Sequence, residues 1–118
     1  SDLPWHLLGD VAVGGRAIAG DPTLHLATPG GALRASPRSF YQVNLEANAA
    51  LVQHVLDVAA ARRAERTLDL YAGIGNFAVP LARAGVPVVA VEMPGQATED
   101  LATNAAGLPV TVRAMPVE

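Results

Sequence analysis

A glycine turn in the second half of the sequence constrains the fold more than any other feature. Residues 67–77 read Thr-Leu-Asp-Leu-Tyr-Ala-Gly-Ile-Gly-Asn-Phe, which is an apolar strand pattern with one acid, then a Gly-x-Gly turn, then the start of a helix. Glycines let the backbone approach a ligand closely, and the first turn of a helix offers amide groups without internal partners. The pattern therefore predicts a nucleotide-cofactor turn with Gly73 and Gly75 at its centre.

A carboxylate follows this turn at a distance that suits a cofactor site. A second apolar run, residues 86–91, ends at Glu92, seventeen residues after Gly75. A carboxylate at the end of the neighbouring strand can accept hydrogen bonds from the two hydroxyl groups of a ribose. Glu92 is therefore a candidate cofactor ligand, and the two signals together favour a cofactor site over a purely structural turn.

Strands and helices alternate from residue 67 onward. Strands are predicted at residues 67–71, 86–91 and 109–114, and helices at residues 76–85 and 95–106. Nearly continuous apolar strands that alternate with helices are typical of parallel sheets with right-handed crossovers. We therefore expect an α/β fold that contains the first half, β-α-β-α-β, of a Rossmann-like parallel sheet.

The N-terminal third of the sequence has a different character, because its short apolar runs are separated by turn residues. Two strands, at residues 24–27 and 32–35, flank a turn at residues 28–31. This spacing predicts a β-hairpin, which is marginal in water unless other parts of the chain cover it. We predict two parts, a strand-rich and turn-rich segment at residues 1–43 and a Rossmann-like domain at residues 44–118.

A long amphipathic helix is predicted between the hairpin and the parallel sheet. Asn44 can cap its N-terminus, Glu46 lies in its first turn, and the apolar stripe continues to about residue 61 or 63. Asn48 falls within the apolar stripe, where an unpaired amide would cost about 1–3 kcal/mol. Asn48 should therefore have a hydrogen-bond partner in the folded chain.

Composition and charge limit the functional classes. The 118 residues, 51% of them hydrophobic, are enough for one globular core. No apolar stretch reaches the roughly 20 residues of a membrane span and the start has no signal-peptide pattern, so we expect a cytoplasmic location without membrane contact. Cysteine is absent and the 3 histidines show no metal-ligand spacing, so no metal site is expected. The net charge of −3, with eight arginines and no lysine, gives no basic surplus for nucleic acid.

Two cofactor classes fit the glycine turn. Residues 73–78 satisfy the G-x-G-x-x-G/A form of a dinucleotide site, which keeps a nicotinamide or flavin oxidoreductase as an alternative. Asp69, inside the leading strand and four residues before Gly73, favours a methyl donor instead. S-Adenosylmethionine carries a positively charged amino group and a sulfonium, and a carboxylate at the strand end suits this charge.

The sequence also resembles a known family. Residues 39–44 read Ser-Phe-Tyr-Gln-Val-Asn, residues 68–77 read Leu-Asp-Leu-Tyr-Ala-Gly-Ile-Gly-Asn-Phe, and residues 89–92 read Val-Ala-Val-Glu. Together these segments are similar to the RNA 5-methyluridine methyltransferases over roughly residues 32–108. The resemblance implies a class I methyltransferase fold, S-adenosylmethionine as the cofactor, and methyl transfer to carbon 5 of uridine in transfer or ribosomal RNA.

The resemblance also implies roles for four residues around the cofactor. Gln42 and Asn76 would bind the methionine carboxylate and amine, Tyr71 would pack on the ligand, and Glu92 would hold the ribose hydroxyls. Each residue has a structural alternative: a loop-stabilising glutamine, a helix-capping asparagine, a core tyrosine and a surface glutamate.

The resemblance places the catalytic chemistry outside this chain. Members of the family often have cysteine at the position of Ala72, although that cysteine is not the nucleophile. The family attacks carbon 6 of uracil with a cysteine thiolate from a C-terminal part, beyond an Asp-Pro-Pro-Arg segment that this sequence lacks. We therefore expect a fragment that carries the cofactor half of the enzyme, contains no catalytic residue and binds RNA weakly or not at all. An exposed sheet edge or helix face would favour self-association, and a non-enzymatic interaction remnant is a third alternative.

Overall fold

The computed structural model describes residues 11–13, 16–19, 23–28, 31–36 and 44–117. The strands are β1 (Val11–Val13), β2 (Arg16–Ala19), β3 (Leu24–Thr28), β4 (Gly31–Ala35), β5 (Thr67–Leu70), β6 (Val88–Glu92) and β7 (Val110–Ala114). The helices are α1 (Leu45–Ala61), α2 (Ala78–Arg83) and α3 (Gln96–Asn104). None of the described helices is long and apolar enough to cross a bilayer.

The C-terminal part forms the predicted parallel sheet. Its strand order is β5-β6-β7, and both neighbouring pairs are parallel, with α2 and α3 as the connections. The α/β fold with a β-α-β-α-β half of a Rossmann-like sheet is therefore confirmed. Helix α2 begins two residues later than predicted, at Ala78, because residues 73–77 remain in the turn that the glycines allow.

A core of small and branched apolar side chains lies between the sheet and the helices. The cluster consists of Ala72, Ala78, Leu81, Ala82, Val88, Ala90 and Leu101. Side chains of α1 also pack against it, among them Val55, Leu56 and Ala59. Helix α1 therefore belongs to the same packed layer as α2, as its apolar stripe predicts.

Helix α1 begins where its capping residue predicts. The Asn44 side chain accepts a hydrogen bond from the Ala47 amide at 2.9 Å, which satisfies one of the free amides of the first turn. Asn48 is 3% exposed and has a partner, as expected. Its side chain pairs with that of Asn76. Asn48 Nδ2 donates to Asn76 Oδ1 at 2.9 Å, and Asn76 Nδ2 donates to Asn48 Oδ1 at 2.7 Å.

The predicted hairpin is present as the antiparallel pair β3–β4, with a register from Leu24 opposite Ala35 to Thr28 opposite Gly31. Strands β1 and β2 form a second antiparallel pair. Leu33 and Ala35 are buried in a second cluster with Ile74 of the glycine turn and Val79 of α2. The hairpin is thus covered by the Rossmann-like part. The proposed division at residue 43 stays a prediction, since residues 37–43 lie outside the described residues.

One face of the sheet remains open among the described residues. Leu68 and Leu70 of β5 are 60% and 47% exposed, and Val89, which lies opposite Leu68 on β6, is 39% exposed. Side chains at alternate positions of a strand point to opposite faces, so these three share the face away from Ala90 and Val88 of the core. This face and the outer edge of β5 form the exposed apolar surface that the sequence predicts.

The burial of the hairpin predicts an asymmetric response to truncation of its leucines. Leu33 is 0% exposed, whereas Leu24 is 58% exposed on the paired strand. Leu33→Ala should lower the free energy of unfolding by about 2–5 kcal/mol because it leaves a cavity. Leu24→Ala should change it by less than about 0.5 kcal/mol. Urea unfolding of both variants tests this, and equal effects would show that the hairpin does not pack on the domain in solution.

Candidate cofactor site

The site is built at the carboxyl end of β5, where residues 71–77 form what we call the cofactor turn. Tyr71, Gly73 and Gly75 all have positive φ values, of 59°, 58° and 102°. The Ala72 amide donates to the Val91 carbonyl at 2.9 Å, which ties the turn to β6. The Gly75 amide donates to the Ala72 carbonyl at 3.0 Å. The turn is therefore held by backbone bonds on both sides, and its shape requires left-handed backbone at three positions.

Gly73 and Gly75 are glycines for different structural reasons. A Cβ atom on Gly75 would lie 2.6 Å from Val79 Cγ2 and 3.1 Å from Leu101 Cδ1, so this position must stay bare for the helices to pack. A Cβ atom on Gly73 would have no heavy atom of the described residues within 4 Å. Gly75 therefore serves the packing of the turn, and Gly73 leaves open space at the mouth of the site.

Glu92 lies against the same turn. Its Oε1 atom accepts a hydrogen bond from the Gly73 amide at 3.0 Å, across a separation of 19 residues. Its side chain is half-buried at the end of β6. The parallel pairing of β5 and β6 brings this carboxylate to the glycine turn, because parallel strands end at the same edge of a sheet.

Asp69 is the unusual group of the site. Its Oδ2 atom is buried and has no hydrogen-bond partner in the described part of the chain. Burial raises the pKa of Asp69 from 3.8 to about 6; the backbone amide of Ala78 lowers the pKa, and the negative charge of Glu92 raises it further. A buried acceptor without a donor is costly, so this geometry favours a donor or a cation that comes from a ligand.

The remaining residues predicted from the resemblance have different placements. Tyr71 is 66% exposed, so it is not a core side chain. Asn76 pairs with Asn48 and links the cofactor turn to α1. The N-cap position of α2 is Phe77, without a side-chain capping bond. Gln42 lies outside the described residues. The structure thus brings Asp69, Gly73, Gly75 and Glu92 together. The cofactor roles of these four residues stay predictions, as do those of Gln42, Tyr71 and Asn76.

Sequence reasoning missed two polar residues of α3 that support the site. Asn104 donates a hydrogen bond to the Ile74 carbonyl of the cofactor turn at 2.8 Å. Asp100 is 2% exposed and accepts from the amide and hydroxyl of Ser36, at 2.8 and 2.7 Å. The available signal was their four-residue spacing, which places both on one face of the helix. Within the described ranges, no group of three or more His, Cys, Asp or Glu side chains is placed to hold a metal ion.

The fold and this site define a methyltransferase-like α/β domain with a parallel sheet, and comparison with known proteins gives the family. The tRNA (uracil-5-)-methyltransferase family model matches residues 21–110, and the chain belongs to this family. This membership confirms the resemblance and decides between methyltransferase and oxidoreductase in favour of the former.

Curated relatives match more than half of this chain. The 23S rRNA (uracil(1939)-C(5))-methyltransferase RlmD of Shewanella sp. (strain MR-4) is 45% identical over 73 residues, which are 58% of this chain and 16% of that protein. The RlmD of Alkalilimnicola ehrlichii is 44% identical over 81 residues, 64% of this chain and 18% of that protein. The chain therefore spans less than a fifth of the length of these relatives.

A solved structure supports the fold. The tRNA (uracil-54, C5)-methyltransferase of Pyrococcus abyssi, crystallised with S-adenosyl-L-homocysteine, matches 90% of this chain and 28% of its own chain, with a TM-score of 0.75 and 22% identity. The class I methyltransferase fold that the resemblance implies is thus confirmed for this half of the sheet.

The different reasons for the two glycines predict different costs of substitution. Gly73→Ala should cost about 1–2 kcal/mol of unfolding free energy, from backbone strain alone. Gly75→Ala should cost roughly 3 kcal/mol, because overpacking against Val79 and Leu101 adds to the strain. Urea unfolding at one pH measures both values. A larger loss for Gly73→Ala would contradict the packing of α3 against the turn.

The raised pKa of Asp69 predicts a pH dependence of stability. Between 3.8 and about 6 the folded chain keeps a proton that the unfolded chain has lost, so the free energy of unfolding falls as pH rises through this window. Asp69→Asn cannot ionise and should lack this fall. Urea unfolding between about pH 4 and pH 7 tests it, with the exposed Asp57→Asn as the matched control. Parallel pH curves for wild type and Asp69→Asn would rule out the raised pKa.

Proposed function

We propose that this chain is the cofactor-binding half of an S-adenosylmethionine-dependent methyltransferase that acts on carbon 5 of uridine in RNA. Family membership supports the reaction class. The observation that carries the cofactor assignment is the buried Oδ2 atom of Asp69, which has no hydrogen-bond partner among the described residues and lies beside the glycine turn. A cationic methyl donor would give this carboxylate a positively charged partner.

The residues of the site fit this cofactor. Asp69 would face the positively charged part of the ligand, and Glu92 would hold the ribose hydroxyls with the carboxylate that it also presents to the Gly73 amide. Gly73 leaves space for the ligand to approach the backbone. Tyr71 offers an exposed ring for packing. When bound, S-adenosylmethionine supplies an electrophilic methyl group; the residues of this chain bind and orient it.

Asn76 and Gln42 complete the proposed ligand set. The side-chain amide of Asn76 is held from the side of α1 by Asn48, which fixes its orientation at the turn. A fixed amide can bind a carboxylate or an amine with little loss of rotamer entropy. Gln42 is proposed on the family resemblance alone, since it lies outside the described residues.

Ribosomal RNA is the substrate that the relatives favour, because the relatives at 44–45% identity are 23S rRNA uracil methyltransferases. The RNA contacts and the nucleophile are proposed to lie in other parts of the complete protein. The net charge of −3 does not favour a polyanion, and the 118 residues contain no cysteine. We therefore propose no catalytic residue in this chain, and we expect weak RNA binding or none and a cytoplasmic location.

Self-association is proposed for the isolated chain. Among the described strands, β5 is at the edge of its sheet, and its exposed leucines form an apolar surface beside that edge. Such an edge can pair with the same edge of a second copy.

Isothermal titration calorimetry with S-adenosylhomocysteine and S-adenosylmethionine tests the proposed cofactor. The wild-type chain should bind, and Glu92→Ala should weaken binding at least about tenfold, because two hydrogen bonds to the ribose are lost. Glu99→Ala, at an exposed acid of α3, removes the same charge away from the turn and should bind as the wild type does.

Three results would contradict the proposal. No binding at millimolar ligand would exclude a working half-site. Tighter binding of a reduced nicotinamide than of S-adenosylhomocysteine would favour the oxidoreductase. A stable oligomer without cofactor affinity, seen by sedimentation, would favour a non-enzymatic interaction module.

A further inference from the structure

Two side chains on one face of α3 bind the outer edge of the hairpin. Asp100 accepts hydrogen bonds from the amide and hydroxyl of Ser36. One helical turn later, the Oδ1 atom of Asn104 accepts from the Arg34 amide at 2.7 Å, and its Nδ2 atom donates to the Arg34 carbonyl at 3.0 Å. The four helical residues from Asp100 to Asn104 span about 6 Å, and the two strand residues from Arg34 to Ser36 span about 6.7 Å. The two side chains of α3 are therefore spaced like the two backbone positions that they bind. Helix α3 therefore follows the edge of β4.

The side-chain amide of Asn104 takes the place of a neighbouring strand. In the β3–β4 register, Arg34 lies opposite His25. Both backbone groups of Arg34 bind Asn104, so this residue directs its amide and carbonyl away from β3, as alternate residues of an antiparallel strand do. An unpaired strand edge is costly to bury, and Asn104 satisfies one residue of it.

The same amide also holds the cofactor turn. Its Nδ2 atom donates a second hydrogen bond, at 2.8 Å, to the carbonyl of Ile74, which lies between Gly73 and Gly75 and is 1% exposed. Among the described residues, the three partners of Asn104 are all backbone atoms. An amide carries two donor hydrogens and an acceptor on one short planar group, and Asn104 uses both kinds at once. An aspartate of the same shape could accept from Arg34 but could donate to neither carbonyl.

We propose that Asn104 is a positioning residue that couples the attachment of the β3–β4 hairpin to cofactor affinity. The inference rests on the proposed function. With the hairpin in place, Asn104 is oriented to fix the peptide between Ile74 and Gly75, which lies at the cofactor site. Because coupling between two sites is reciprocal, a bound cofactor must in turn strengthen the attachment of the hairpin.

The first arm of the test removes the donors of Asn104. Asn104→Asp should weaken the binding of S-adenosylhomocysteine about tenfold in calorimetry. Thr103→Ala is the matched control, because the exposed hydroxyl of Thr103 donates to the Glu99 carbonyl at 3.1 Å, within α3. The control should bind as the wild type does.

The second arm changes the hairpin and leaves α3 unchanged. It therefore tests the coupling even if Asn104→Asp does not fold. Arg34→Pro removes the backbone N–H that donates to Asn104 Oδ1, at an outward position of a strand edge that tolerates proline. Arg34→Ala removes the same side chain but keeps the amide. Arg34→Pro should bind S-adenosylhomocysteine about three- to tenfold more weakly than Arg34→Ala.

Amide hydrogen exchange of residues 24–36 gives the reciprocal measurement. Saturating S-adenosylhomocysteine should slow exchange in this hairpin for the wild type and Thr103→Ala, and should not slow it for Asn104→Asp or Arg34→Pro. If the wild type binds the ligand but Arg34→Pro and Arg34→Ala bind it equally, the coupling is wrong and the proposed function stands. If the wild type does not bind S-adenosylhomocysteine, the cofactor assignment itself fails.

Discussion

Gly75 lies where the cofactor turn packs directly against side chains of α2 and α3. The bare backbone there brings Val79 and Leu101 within contact distance, and any side chain would push them away. Asn104 lies one turn after Leu101 on α3, so the distance that Gly75 permits also determines whether Asn104 reaches the Ile74 carbonyl. The position of α3, the support of the turn and the cover over the hairpin all follow from this one close contact.

The electrostatics of the site point in the same direction as its shape. Asp69 and Glu92 lie on neighbouring parallel strands; burial raises the pKa of Asp69, and the negative charge of Glu92 raises it further. One of them binds a backbone amide, whereas a buried oxygen of the other has no partner among the described residues. Without a ligand, the chain reduces the cost of this unpartnered oxygen because Asp69 stays protonated to a higher pH than an ordinary aspartate does. A cationic ligand would remove this cost by placing a positive charge beside the carboxylate, which is the physical basis for proposing S-adenosylmethionine.

Features with a local cause could be predicted from the sequence. The hairpin follows from turn residues between two short apolar runs, the start of α1 from Asn44, and the parallel strands from their apolar patterns. The partner of Asn48 could not be predicted, because Asn76 lies 28 residues away and meets it only once α1 packs beside the turn. The family resemblance supplied roles but no contacts.

The support given by Asn104 was even less accessible from the sequence. Its hydrogen bonds to Arg34 join residues that are 70 positions apart in the sequence. Its described partners are backbone atoms, which every residue type provides, so the partner residues carry no sequence signal. The only sequence sign is a pair of polar residues one turn apart on α3, and such pairs are common on exposed helix faces. Contacts of this kind require the fold to be known first.

The net charge of the chain suits binding of the cationic methyl donor better than binding of RNA. An RNA methyltransferase must hold a cation, the methyl donor, and a polyanion, the RNA, at the same reacting centre. The acidic pair at the turn and the net charge of −3 suit the cation and oppose the polyanion. If the proposed function holds, the basic surface that attracts RNA must therefore come from parts of the protein outside these 118 residues. The two opposite electrostatic requirements would then be met by separate surfaces, and the reacting atoms would meet where these surfaces join.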